Sequence, residues 1–131
     1  MRESIATAEA PCVAGPYSPG LRVGEWIFLA GQGGVDPKTD RLIGETAAEQ
    51  VEQTFRNIEA LLRAAGASLS DIVSCQVHLV DLADFAMFNE AYARQFPGDM
   101  KPVRTTVRAD LLADMRVEVT AIAHRVVSND A

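Results

Sequence analysis

Between Ile72 and Val80 the side chains alternate in kind, Val73, Cys75, Val77 and Leu79 on one side against Ile72, Ser74, Gln76, His78 and Val80 on the other. A period of two residues predicts a strand. The same period governs Pro102 to Ala123, which reads as two strands joined by a short connection. In the first, Val103, Thr105 and Val107 oppose Arg104, Thr106 and Arg108; in the second, Val117, Val119, Ala121 and Ala123 oppose Arg116, Glu118, Thr120, Ile122 and His124. Elsewhere the period lengthens to three and four. Ala47, Val51, Phe55, Ile58, Leu62 and Ala65 form a helical stripe, with Thr46 and Glu49 at capping-box spacing before it and Gly66 as its stop. Asp81 or Asp84 caps a second helix carrying Phe85, Phe88, Tyr92 and Phe96, which ends at Pro97-Gly98.

The first twenty residues hold Pro11, Gly15, Pro16, Pro19 and Gly20, so a short strand at Ser4 to Thr7 gives way to turns. Leu21 to Ala30 reads as two strands about Gly24, followed by the glycine-rich Gly31-Gln32-Gly33-Gly34 and a polar loop over 36–40. Strands, helix, strand, helix, strands make an α+β domain: a single sheet with two helices packed on one face. The pattern predicts that Val73, Val77, Val103, Val107, Val117 and Val119 lie beneath the helices. Gln76, His78, Arg104, Thr106, Glu118, Thr120 and His124 would then share the other face with Ile72, Val80 and Ile122. That face is too apolar for open water and too polar for a core, which predicts a homo-oligomer covering it.

Length and composition narrow the class. A chain of 131 residues fits one domain over 1–131 and can bury roughly two thirds of its unfolded surface. No run is long enough to span a bilayer. The opening MRESIATAEAP has no basic segment followed by an apolar one, and two distant cysteines, Cys12 and Cys75, suit free thiols; both features point to the cytoplasm. A net charge of −6 without a basic stripe argues against nucleic acid. His78 and His124 have no ligand-spaced partners, so no metal is expected, and no GxSxG or phosphate-loop pattern is present.

Arg104 and Glu118 are the charged candidates. A guanidinium stays ionised and offers a fork that fits a carboxylate, although an ion pair with Glu118 or another acid is an equally good account of it. Tyr17, in the turn GPYSPG, either plugs that turn or presents a phenol to a cleft. Asn89 lies beside the apolar stripe of the second helix, where a polar residue is more often simply surface.

GPYSPG at 15–20, FLAGQ at 28–32, AAG at 64–66 with DIV at 71–73, NEAY at 89–92, PVRTTV at 102–107 and VEVTAIA at 117–123 together resemble the Rid family of reactive intermediate deaminases. The resemblance spans nearly the whole chain. It implies the fold of the trimeric chorismate mutases, a homotrimer, and clefts between subunits that take small 2-imino or 2-keto carboxylates without a cofactor. The implied reaction is hydrolysis of 2-imino or enamine acids to 2-keto acids and ammonia. Arg104 matches the carboxylate-binding arginine and Glu118 the glutamate that positions or activates water. Tyr17 matches a cleft tyrosine, Gly31 and Thr106 match positions that offer backbone groups, and Asn89 matches an asparagine near the pocket. Ala30 stands where many members have serine, Thr106 where many have cysteine, and the Thr106–Glu118 connection is one residue shorter than in the best-known deaminases. A non-catalytic trimeric module that binds a small carboxylate or acts as a chaperone is the alternative; ribonuclease activity, also linked to the family, fits this acidic chain least.

Overall fold

A computed structural model describes residues 1–126. Its strands are β1 (Arg2–Ile5), β2 (Gly20–Val23), β3 (Trp26–Leu29), β4 (Val35–Asp36), β5 (Arg41–Leu42), β6 (Ile72–Leu79), β7 (Val103–Arg108) and β8 (Val117–His124); its helices are α1 (Ala47–Ala64) and α2 (Phe85–Ala93). Six strands form one mixed sheet in the order β1-β2-β3-β8-β6-β7, in which the β6–β7 pair alone is parallel. β4 and β5 make a small separate hairpin around the polar loop predicted at 36–40. The first strand lies two residues earlier than its prediction.

Helix α1 starts where its cap places it, with the Thr46 hydroxyl accepting from the Glu49 amide at 3.1 Å. Gly66 ends the turn beyond it with φ +80°, a conformation that disfavours any side chain. Val51, Phe55, Ile58 and Leu62 of α1 and Phe88, Ala91 and Tyr92 of α2 bury against Ile27, Leu29, Cys75, Val77, Leu79, Val117, Val119, Ala121 and Ala123 of the sheet. The helices meet through aromatic edges, Phe55 standing 5.8 Å from Tyr92 and, centroid to centroid, 5.5 Å from Phe96, which lies beyond the end of α2 at Ala93 and not within the helix as predicted. Both therefore cover one face, as predicted.

The assignment of residues to faces needs correction at two places. A register shift between Ile72 and Ser74 turns Ile72 into the core and leaves Val73 39% exposed. More consequentially, β7 pairs with β6 so that Cys75 is beside Arg104 and Val77 beside Thr106. Neighbouring partners in a sheet share a face, so Arg104 and Thr106 lie on the helix side, while Val103 and Val107 lie on the other, 69% and 43% exposed. Hydrophobicity pointed the wrong way because β7 is an edge strand whose valines have no core to enter within one chain.

Helix α1 also carries a buried polar row that its apolar stripe did not announce. Asn57 Nδ2 donates to the carbonyls of Gly33 (3.0 Å) and Val35 (2.8 Å), and its Oδ1 accepts from Gln53 Nε2 at 2.9 Å. Gln50 Oε1 accepts from the Arg116 amide at 2.8 Å. These side chains tie the glycine loop and the start of β8 to the helix. Asn57→Ala would strand two carbonyls and an amide; equilibrium denaturation is expected to show a loss of about 2 kcal/mol, the usual cost of unsatisfied buried polar groups.

Candidate functional site

Glu118 is the second residue of β8, on the face away from the helices and directly across from His78 of β6. Its carboxyl leans toward Gly31, just beyond β3. A Cβ added to Gly31 would stand 2.8 Å from Glu118 Cδ and 3.0 Å from Oε1, so only glycine leaves the carboxyl this position. The loop 31–34 thus admits a close approach, as its glycines predicted, and one group that approaches is this carboxyl. Glu118, Gly31 and Tyr17 line one cavity of about 500 Å³, walled further by Val13, Leu42, Leu112 and Met115. The Tyr17 hydroxyl accepts from the Ala14 amide at 3.3 Å, which pins the phenol within its own turn while leaving the residue half exposed. Tyr17 thus belongs to its turn and also borders the cavity.

Arg104 is elsewhere. It is half buried on the helix face of β7, and β6 separates its strand from the strand of Glu118. An intrachain ion pair between the two is thereby excluded. Among the described residues no carboxylate lies within salt-bridge distance of Arg104. Three rings of α2 surround it instead: Cζ stands 4.7 Å from the Tyr92 centroid, 5.4 Å from Phe88 and 5.7 Å from Phe85, all within cation–π range. The sequence shows these rings as a helical stripe and gives no sign that their common neighbour is a cation.

Unpartnered polar atoms accompany Arg104. Thr106 Oγ1 and Asn89 Oδ1 are buried with no hydrogen-bond partner among the described residues, as is His78 Nδ1 on the opposite face. Such atoms are rare in native proteins and ask for a ligand, a water or another chain. The predicted site residues therefore fall into two groups: Tyr17, Gly31 and Glu118 around the cavity, and Arg104, Thr106 and Asn89 on β7 and α2. One chain does not bring them together.

An acid on one face and, on the other, a ring-held cation with no carboxylate partner among the described residues define an α+β protein whose candidate site groups are split between two surfaces. The family model described as Endoribonuclease L-PSP matches residues 7–125. A RutC family protein of Pyrococcus horikoshii is 42% identical over 95% of this chain and 99% of its own. The mouse protein named 2-iminobutanoate/2-iminopropanoate deaminase is 36% identical over 94% and 91%. The crystal structure of RidA from the Antarctic bacterium Psychrobacter superposes with a TM-score of 0.88 at 38% identity, covering 93% of this chain and 98% of that one. The chain belongs to the Rid (RidA/YjgF, L-PSP) family, which includes proteins named as deaminases.

The packing beneath Arg104 has a pH signature. Burial raises the Cys75 thiol above its ordinary 9.0, with Tyr92 and Arg104 pulling weakly the other way; burial and then Cys75 raise the Tyr92 phenol above its ordinary 10.0. In both cases the folded state holds the proton longer than the unfolded chain. Stability is fully present below the unfolded pKa and is lost as pH rises toward the folded one. Denaturation midpoints are expected to hold up to about pH 9 and fall above it, and a Cys75→Ala, Tyr92→Phe double variant should show a shallower fall.

Proposed function

We propose that the chain is a cofactor-independent deaminase that hydrolyses 2-imino acids such as 2-iminopropanoate and 2-iminobutanoate to 2-keto acids and ammonia, in a homotrimer whose neighbouring subunits each supply half of every site. The observation that carries this is the separation of Arg104 from Glu118: a carboxylate anchor and an acid/base on opposite faces of one sheet. The face bearing Glu118 also exposes Trp26, Phe28, Val73, Val103 and Val107, the kind of surface a second copy covers. Stacking that face against a neighbour's β7 edge brings one chain's Arg104, Asn89 and Thr106 to another chain's Tyr17, Gly31 and Glu118.

The chemistry needs few groups. Arg104 grips the substrate carboxylate through two parallel N–H donors and fixes the imine carbon relative to Glu118. Glu118 takes a proton from water as the oxygen adds to that carbon, the C=N pair moves to nitrogen, and Glu118 returns the proton to that nitrogen. The resulting carbinolamine expels ammonia as its C–N bond breaks and its hydroxyl becomes the ketone. Because such imines already hydrolyse in water, positioning together with a single acid/base gives a useful rate.

The test couples a pyridoxal-phosphate-dependent dehydratase to this protein, with semicarbazide competing for the released imine. Arg104→Ala and Glu118→Gln should each lower keto-acid formation about 100-fold, while solution mass stays that of a trimer. Refolding the two variants together should restore about a quarter of the sites, since a whole site then needs one particular variant on each side of a seam. A monomeric mass, or no recovery on mixing, would defeat the shared site. Keto-acid formation by the parent no faster than spontaneous hydrolysis, together with tight keto-acid binding, would favour the non-catalytic carboxylate-binding module instead.

A further inference from the structure

We infer that Phe85, Phe88 and Tyr92 form an aromatic cage that positions Arg104 for carboxylate binding, with Phe85 as its outer wall. This rests on the reading of Arg104 as the carboxylate anchor. A guanidinium that must receive a substrate carboxylate faces a conflict. If nothing holds it, the side chain wanders and its freedom is lost on binding; if an acid holds it, that acid competes with the substrate. Ring faces avoid both outcomes. Their quadrupole attracts the cation without engaging its five N–H donors.

The geometry suits this role. All three rings lie within 5.7 Å of Cζ. They occupy positions 85, 88 and 92 of α2, steps of three and four that bring side chains to one helical face. Packing alone accounts for Phe88 and Tyr92, which are 0% and 7% exposed and belong to the core. It does not account for Phe85, which is 41% exposed and outside that cluster, yet still stands against the guanidinium. Tyr92 acts here through its ring, while its buried hydroxyl lies beside the Cys75 thiol. The cage is a positioning device and touches no reacting atom.

Phe85 is the residue to change, because its exposure separates a ligand effect from loss of the fold. The probe is 2-oxobutanoate, a stable 2-keto acid, titrated calorimetrically into the full-length protein. Phe85→Leu should weaken binding about threefold to tenfold, with little change in thermal midpoint, and Phe85→Trp should restore or tighten it. Mono-, di- and trifluorophenylalanine at position 85 should weaken it stepwise, since each fluorine drains the ring face while keeping its shape. Parent-like affinity in both Phe85→Leu and the trifluoro variant would overturn the cage. Absence of saturable binding by the parent would instead remove the carboxylate-anchor reading on which the cage depends.

Discussion

The pairing of Cys75 with Arg104 across the parallel β6–β7 seam decides which way Arg104 and Thr106 point relative to Glu118. A shift of one residue would exchange the faces of the edge strand, driving Val103 and Val107 under α2 and sending Arg104 to the side of Glu118. The observed register does the reverse. It places the cation against the rings of α2 and the valines in the open, so that the unfilled apolar surface and the unfilled polar groups arise together from one hydrogen-bond pattern. The oligomer proposed for this chain answers both vacancies at once.

Much of the architecture is legible in the sequence because its period is strong. The capping box at Thr46, the stop at Gly66 and the stripe through Phe55 and Ile58 define α1 without help from tertiary structure, and β6 and β8 declare themselves by alternation. What alternation does not carry is an absolute direction. For β8 the choice is forced, since Val117, Val119, Ala121 and Ala123 form an unbroken apolar edge. For β7 it is not: valines oppose a mixture of arginine and threonine, and the rule that apolar residues face the core chooses wrongly at a sheet edge. The bulge at Val73 escapes for a similar reason, since a register shift reverses the faces without changing the composition. Arg104, Glu118, Tyr17, Asn89 and the glycines at 31–34 stand out from residue type and position, and the family resemblance supplies their roles; their division into two clusters comes from the fold alone.

The polar row on α1 reveals a second limit of hydrophobic patterning. Gln50, Gln53 and Asn57 look like surface residues in a helical wheel, yet they are buried because the segment 31–35 and the start of β8 present backbone groups that need partners. Through them the helix holds the loop on which Gly31 rests. The close approach of Glu118 to Gly31 is set by the reciprocal backbone hydrogen bonds of Gln32 and Val119, both 2.9 Å, and the bonds from α1 hold the segment that follows.

Splitting an arginine and a glutamate between two faces solves an electrostatic problem that a single-chain site would have to meet in another way. Placed in one pocket of one chain, the two would form a charge-assisted pair as soon as the chain folded, and a substrate carboxylate would have to displace the glutamate from the guanidinium. Here the chain folds with them apart. The guanidinium meets rings that stabilise its charge without occupying its donors, and the carboxyl settles over a glycine that leaves it room. In the proposed oligomer their first opportunity to approach would come when chains assemble, with each already held in its own chain's framework. A pocket built this way can keep both charges available, which is what a reaction requires when one group must hold the substrate and the other must handle water.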